Sequence, residues 1–311
     1  MTKEILITGV AGFIGSKVAQ RFLDKGFVVY GVDDLSSGNK ANIPANIEFI
    51  EGDLALDKTI QKLPKKCNKL LHLAGQSSGE ISFDNPVSDL EKNTISTLNL
   101  IKYSIATNIE RILYASSMSV YGNVRDKPIK ESFDCYPLSC YGSSKLASEN
   151  YLRIFKEKLP YVSLRMFNVY GPGQDMTNLR QGMVSIFVAQ ALSKNRIEVK
   201  GSLERFRDFI YIDDVVDVWF DAAFNQDALN QTINVGTGLK TTVKDLLEQI
   251  CKIIPNCSFF QSDPTPGDQK GIYPDVGLMK SLFNIEAFTQ LHEGLKNFIE
   301  YEEDKHLKEN K

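Results

Sequence analysis

A chain of 311 residues, 42% apolar and 24% charged, can form one large or two moderate domains and has the make-up of an ordinary globular protein. A net charge of −3 and a pI near 5.8 give no reason to expect polyanion binding, so no nucleic-acid partner is expected. No apolar run reaches the roughly 18 residues of a membrane span, and the N-terminus enters a strand without a signal-peptide layout, so a cytoplasmic protein with no membrane partner is expected.

Glu4–Thr8 (EILIT) is a short apolar run with β-branched residues and reads as a buried strand. It runs into Gly9-Val-Ala-Gly12-Phe-Ile-Gly15, and a helix is predicted over 12–25. Strand, glycine turn and helix together predict a dinucleotide-phosphate site. Gly9 allows the tight turn, Gly12 lets backbone approach a pyrophosphate, and Gly15 permits close helix–strand packing. The helix N-terminus adds free N–H groups and a positive dipole end. The spacing is G-x-x-G-x-x-G, not the commoner G-x-G-x-x-G, and a loop that merely turns the chain is the alternative.

A second buried strand is predicted over 27–33 and ends in Asp33, 18 residues after Gly15. That is near the roughly 20 expected for an acid on the adenine ribose hydroxyls. Its charge repels a 2′-phosphate, and no arginine follows in Asp34-Leu35-Ser36-Ser37-Gly38, so NAD is predicted over NADP.

Further strands are predicted at 47–50, 69–74, 111–116 and 161–167, and helices at 86–107 and 140–158. This alternation predicts an α/β fold, a Rossmann-type doubly wound parallel sheet covered by helices on both faces. After Gly171-Pro-Gly173 the pattern is less regular, with helices predicted at 182–194, 213–225 and 242–254. Short strands fall between them at 197–200, 206–211, 231–235 and 257–260. Residues 1–170 are therefore read as an NAD-binding domain. Residues 171–311 are read as a smaller, mainly substrate-binding C-terminal α/β portion, with parts of 205–240 returning to the first. Thr242-Val-Lys-Asp245 resembles a capping box with Asp in place of Glu, and Glu302–Lys311 reads as a solvated helix end or tail.

The five cysteines, Cys67, Cys135, Cys140, Cys251 and Cys257, contain no CxxC pair and are expected to be reduced thiols. The three histidines are scattered, and His72, inside a strand-like run, reads as packed. No metal site is predicted.

In a doubly wound sheet, ligands bind beyond the carboxyl ends of the strands. There lie Gly9–Gly15, Asp33, Asp53, Ala74-Gly75-Gln76, Ser116-Ser117 and Asn168, following strands one to six. Tyr141 and Lys145, in Tyr-Gly-Ser-Ser-Lys, share a helix face. An ammonium there favours phenolate, which predicts a tyrosine pKa lowered from about 10 towards neutrality and a general base for a sugar or alcohol hydroxyl. Taken by its spacing alone, the pair could equally be an ordinary surface contact.

With these residues in place, the sequence resembles the extended short-chain dehydrogenase/reductase superfamily, in its NAD-dependent nucleotide-sugar epimerase/dehydratase group. The resemblance spans nearly the whole chain. It rests on Thr8–Gly15, Gly52-Asp53-Leu54, His72-Leu73-Ala74, Ala115–Gly122, Tyr141–Lys145, Leu164–Pro172, Arg207–Val215, Asn234–Gly238 and Pro266-Gly267-Asp268. It implies that Tyr141 is the base, that Lys145 depresses its pKa and holds the nicotinamide ribose, and that Ser117 bonds the reacting oxygen. Asp33 would bind the adenosine ribose and Asp53-Leu54 the adenine, with Leu73-Ala74-Gly75 lining the cleft. Phe13, Ile14, Asp34, Ser37, Gly38 and Asn93 complete the implied cofactor set. Asn168 and Arg207 would meet the substrate diphosphate, the guanidinium as a bidentate clamp. Gln76, Ser78, Asp268 and Ile272 complete the implied substrate set. For Ser117, Asn168 and Arg207 the alternatives are a turn cap, backbone satisfaction and pairing with Asp208 or Asp213.

The implied reaction is a 4-epimerisation through a transient 4-keto sugar. Dehydratases and decarboxylating synthases of this group carry acids just after the active-site Ser/Thr, where this chain has Met118 and Ser119. The rivals are a nucleotide-sugar C4 dehydrogenase that releases its 4-keto product and a non-catalytic NAD-sensing protein. Thr265 stands where many UDP-hexose epimerases have an arginine, so Lys270 or Arg180 would replace it, or the nucleotide is not UDP. Ile272 stands at the position that in related enzymes separates plain from N-acetylated hexoses; simple packing is its alternative. The predicted helices 86–107 and 140–158 are apolar on more than one face, through Leu98, Leu100, Ile101 and Ile105 in one and Leu146, Leu152, Ile154 and Phe155 in the other. The matching helices of the family pair across a two-fold axis, which implies a homodimer.

Overall fold

The computed structural model describes residues 3–124, 126–263, 270–283 and 285–309. In chain order its first half holds β1 (Glu4–Thr8), α1 (Phe13–Asp24), β2 (Val28–Asp33), β3 (Glu48–Glu51), α2 (Asp57–Ile60) and β4 (Lys69–His72). There follow α3 (Ile81–Asp84), α4 (Pro86–Leu90), a π turn (Glu91–Ile95), α5 (Ser96–Ala106), β5 (Arg111–Ser117), α6 (Cys140–Phe155) and β6 (Tyr161–Met166). The rest comprises β7 (Asn168–Tyr170), α7 (Met183–Lys194), β8 (Arg196–Lys200), β9 (Phe206–Arg207), β10 (Phe209–Tyr211) and α8 (Ile212–Ala222). Last come β11 (Gln231–Val235), β12 (Thr241–Thr242), α9 (Val243–Ile253), β13 (Ser258–Ser262), α10 (Gly277–Phe283) and α11 (Leu291–Glu309).

Seven strands form the central sheet in the order β11-β6-β5-β4-β1-β2-β3, and every pairing in it is parallel. Both faces are covered, which is why β5 is buried along its whole length and β1 along all but its first residue. The strand period of two still sorts the side chains. Ile5 and Ile7 join the core with Val18, Phe22 and Trp219, whereas Leu6 between them joins Leu100, Ile101 and Tyr114 on the other face.

The predicted strands from 4–8 to 161–167 are present, with ends shifted by a residue or two. The capping box is also present, Thr242 and Asp245 each bonding the other's backbone N–H. The predicted helix 86–107 is present from Pro86 to Ala106, with a π turn inside it. Asn85 caps its start, with Pro86 in the first turn, and the π turn then interrupts the ladder before α5. β7, β12, α10 and most of α11 were not anticipated.

Register and topology place the functional rim. Thr8 stands opposite Val32 and His72, His72 opposite Tyr114, and Ser117 opposite Met166, so β1, β2, β4, β5 and β6 end side by side. The chain order of the strands reverses between β1 and β4, which opens the crevice there. Residues 231–235 add the seventh strand by pairing with β6.

Candidate active site

The glycine turn after β1 is built on close approach. Gly9 has φ +75°, and a β-carbon on it would lie 2.7 Å from the Ala74 nitrogen; one on Gly15 would lie 2.0 Å from the Gly9 oxygen. Gly12 precedes α1 with no side chain to cap it, so the first N–H groups, at Phe13 and Ile14, face outward from the helix end. This bare N-terminus suits a pyrophosphate.

Asp33, 8% exposed, closes the turn from β2. Its Oδ2 accepts from the Ala11 N–H at 3.0 Å and its Oδ1 from the Leu35 N–H at 2.9 Å. Burial pushes its carboxyl pKa up, against the pull of those two bonds. Gly38 packs beside it, where a β-carbon would meet Ala11 at 2.7 Å, and Ser37 is exposed on the same loop. Asp34 accepts from the Ser36 N–H at 2.9 Å and is ion-paired with Lys92, which also reaches Asp53 at 3.4 Å. Burial alone would raise the Asp34 carboxyl, but Lys92 and Ser36 hold it below its ordinary range. Asp53 accepts from the Ala55 N–H, while the Leu54 and Ala55 carbonyls accept from Asn99.

After β4 the Thr8 hydroxyl accepts from the Ala74 N–H at 3.0 Å, fixing Leu73-Ala74-Gly75 against the glycine turn. His72 lies beneath, unexposed, with its ring nitrogens 2.8 Å from the Thr8 hydroxyl and 3.1 Å from that of Thr97. Burial drives its pKa down to about 3, which leaves a neutral, packed imidazole. The side-chain oxygen of Asn93, in the π turn, is buried with no hydrogen-bond partner among the described residues. A buried acceptor facing this crevice, with the glycine cradle opposite, fits a dinucleotide.

Tyr141 lies in the first turn of α6, capped by Ser139, and Lys145 follows one turn later. Both are buried, and the Lys145 Nζ stands 5.7 Å from the Tyr141 ring centre and donates to the Ala115 carbonyl at 2.9 Å. Ser117, at the end of β5, lies beside Tyr141 and donates its hydroxyl to the Ser119 hydroxyl oxygen at 3.2 Å. The expected pKa direction is corrected here. Burial pushes the Tyr141 hydroxyl up to about 12, with the Ser117 hydroxyl pulling against it, and pushes Lys145 down to about 8, with Asp89 and Glu149 pulling against that. Among the protein's own groups desolvation outweighs the ammonium, because α4, α6 and β5 together exclude water from the pair.

The expected substrate residues divide. The Asn168 side-chain nitrogen donates to the Asp208 carbonyl at 2.8 Å, tying β7 to the segment that carries Arg207. Arg207 Nη1 donates to the Phe206 carbonyl at 2.8 Å. The Asp208 carboxylate holds the Thr237 and Leu239 N–H groups. Gln76 and Ser78 are spent within their own loop, since the Gln76 amide bonds the Ser78 backbone twice and the Ser78 hydroxyl meets the Arg180 carbonyl. Arg180, a candidate replacement cation, is held by Glu80 at 2.7 Å and Asp84 at 2.8 Å. Ile272 is 3% exposed in an apolar cluster with Val120, Phe167 and Met118, so its contacts are those of packing. Thr265 and Asp268 lie outside the described residues.

Several residues around the site were assigned no role from the sequence: Lys92, Asn99, Asp89, Ser144 and the Glu149–Arg165 pair. Helical spacing links some of them to known members, since Asp89 is four before Asn93 and Ser144 three after Tyr141.

A model of the NAD dependent epimerase/dehydratase family matches residues 5–236. A putative UDP-glucose 4-epimerase of Methanocaldococcus jannaschii is 32% identical over 309 residues, covering 96% of this chain and 97% of that protein. The crystal structure of UDP-glucose 4-epimerase with UDP-glucose from Thermotoga maritima superposes with a TM-score of 0.93 at 33% identity, covering 97% of this chain and 99% of the other. A UDP-N-acetylglucosamine 4-epimerase from Methanobrevibacter ruminantium, solved with UDP-N-acetylmuramic acid, gives 0.92 at 29% identity, covering 98% and 99%.

Proposed function

The chain belongs to the NAD dependent epimerase/dehydratase family, and from that premise we propose that it is a nucleotide-sugar 4-epimerase acting on UDP-glucose or UDP-N-acetylglucosamine. The observation that carries this reading is the Ser117–Tyr141–Lys145 set at the carboxyl end of β5, facing the glycine turn across the crevice. As phenolate, Tyr141 would take the proton of the sugar C4 hydroxyl. Burial holds its pKa up at about 12 in the protein alone, so this step needs the positive charge of a bound oxidised nicotinamide beside that of Lys145, while the Ser117 hydroxyl steadies the oxygen as it becomes a carbonyl. Lys145, still mostly protonated at neutral pH with a pKa of about 8, supplies the positive charge that favours this transfer. NAD held in this crevice would supply reversible hydride chemistry at the sugar C4. Asp33 would hold the adenine ribose, Asp53-Leu54 the adenine, and Arg207 with Asn168 the diphosphate end of the substrate.

Dehydration or decarboxylation needs a second acid or base beside the reacting sugar. The short helical turn after Ser117 offers Met118 and Ser119 there, and Met118 packs against Asn168. Incubation with UDP-glucose and with UDP-N-acetylglucosamine tests the reading, with sugar configuration and NADH absorbance followed together. Interconversion without accumulated NADH supports an epimerase. Stoichiometric NADH with a released ketone means a dehydrogenase, and neither signal means a binding protein.

The protein is further read as cytoplasmic and homodimeric. Among the described residues no helix is long and apolar enough to cross a membrane. Exposed Phe83, Val87 and Leu90 on α3 and α4, with Tyr151 and Ile154 on α6, supply the apolar faces that a second copy would cover. Light scattering that returns a monomer at micromolar concentration would remove the dimer.

A further inference from the structure

Asn93 presents an amide whose two ends have different surroundings. Its Nδ2 donates to Asp89 Oδ1 at 3.1 Å and to the Ser144 hydroxyl oxygen at 3.2 Å. Ser144 in turn donates its hydroxyl to Asp89 Oδ2 at 2.6 Å. Three polar groups from α4, the π turn and α6 thus close a ring, with the Ser144 hydroxyl also 3.0 Å from the Tyr141 carbonyl. A carboxylate only accepts, so both amide hydrogens of Asn93 are drawn into the ring and its oxygen is turned away from it, buried beside Gly75 with no hydrogen-bond partner among the described residues. Asp89 and Asn93 are each 1% exposed, which keeps water from competing for these bonds.

That oxygen points at a specific place. A β-carbon built on Gly75 would lie 2.3 Å from Asn93 Oδ1 and 3.4 Å from Lys145 Nζ, so an acceptor and a cationic donor flank one point of the crevice. That pairing matches a vicinal diol, one hydroxyl donating to the amide oxygen and another accepting from the ammonium. The π turn holds the arrangement in place. The Asn93 carbonyl accepts from the Thr97 hydroxyl at 2.6 Å and the Ser148 hydroxyl at 3.1 Å, and the Thr94 hydroxyl donates to the Ser144 carbonyl at 3.1 Å.

We infer that Asp89 is a positioning residue: with Ser144 it locks the Asn93 amide so that its oxygen, beside Lys145, receives a ribose hydroxyl of the dinucleotide. Without the carboxylate, the amide can turn its nitrogen toward the diol and present a donor where an acceptor is needed. This rests on the NAD reading above.

Calorimetric titration of the full chain with NAD tests it, using Asp89→Asn, Asn93→Ala, the double variant and Ser144→Ala, each with a thermal melt. Asp89→Asn is expected to weaken NAD binding about tenfold, and Asn93→Ala about as much, because each removes one hydrogen bond to a buried hydroxyl. The double variant is expected to be no weaker than the poorer single one, since Asp89 acts through Asn93. A merely structural Asp89 would give losses that multiply in the double variant, and that result overturns the inference. So does Asp89→Asn binding NAD like the wild type. If Asp89→Asn has no cooperative melt, Ser144→Ala carries the test: weakening by about threefold supports the lock, and unchanged affinity overturns it. A wild-type protein that does not bind NAD would overturn the cofactor reading itself, a result distinct from either.

Discussion

Arg165 grips Glu149 through two charged hydrogen bonds, Nε to Oε1 at 2.9 Å and Nη2 to Oε2 at 2.7 Å, one helical turn beyond Lys145. The pair joins β6 to the helix that carries Tyr141, with Arg165 also stacked 4.7 Å from the Tyr121 ring centre. Both side chains are nearly unexposed, so removing one leaves the other charge buried and unpaired. Glu149→Ala is expected to cost about 3–5 kcal/mol in urea unfolding. The double variant Glu149→Leu with Arg165→Met is expected to recover most of it, because no unpaired charge remains. A double variant as unstable as the single would contradict this account.

On the proposed reading Asp33 sets cofactor choice. Its carboxylate is anchored by the Ala11 and Leu35 N–H groups, while the neighbouring Asp34 is neutralised by Lys92, and a negative charge on the adenine ribose would repel a 2′-phosphate. NAD is expected to bind more than about tenfold more tightly than NADP, roughly 1.4 kcal/mol or more. Asp33→Ala is expected to narrow the gap, chiefly by weakening NAD. Equal affinities in the unmodified protein would contradict it.

His72 gives the fold an acid limit. Its folded pKa, about 3, lies below its ordinary 6.5, so its contribution to stability is present above pH 6.5 and is lost as pH falls towards 3. The whole window corresponds to something on the order of 5 kcal/mol. Asp208 has the opposite sign: raised by burial from 3.8 to about 6, it contributes fully below pH 3.8 and loses that contribution as pH rises through 6. The two offset each other in part between them. Urea midpoints from pH 7 to pH 4, followed by fluorescence of buried Trp219, are expected to fall with acid; His72→Gln is expected to start lower and slope less. Parallel slopes would assign the acid sensitivity elsewhere.

Ile272→Tyr separates packing from selection. A tyrosine would have to enter a filled cluster beside Val120 and Phe167, at an expected cost of about 1–3 kcal/mol. The melting temperature should fall, and KM should rise for both the plain and the N-acetylated sugar nucleotide. A rise confined to the N-acetylated one, with no loss of stability, would restore the selective gate.

Local chemistry made the cofactor half legible. A glycine turn between an apolar strand and a helix, and an acid closing the next strand, are written within a few tens of residues. Tyr141 and Lys145 announce themselves through helical spacing. The protonation of that pair was not legible, because it depends on how completely α4, α6 and β5 exclude water. Nor was the fate of Gln76, Ser78 and Arg180, which bond one another's loops across some hundred residues of chain. The start of the helix 86–107 at Pro86 carries a signal, a capping Asn85 before a proline, and agrees with the predicted bound. The π turn had none.

The seventh strand has a consequence for how the protein is made. β11 is read long after its neighbour, yet it supplies the partner for β6, with the Asn230 N–H bonded to the Tyr161 carbonyl at 2.7 Å and the Phe167 N–H to the Val235 carbonyl at 2.9 Å. Until about residue 240 has left the ribosome, β6 is a bare, apolar edge, the kind of surface that pairs with a neighbouring chain. A gene fragment stopped after residue 170 would keep every glycine of the turn and still expose that edge. Aggregation during synthesis, more than loss of any single contact, is the expected failure of a chain shortened in this way.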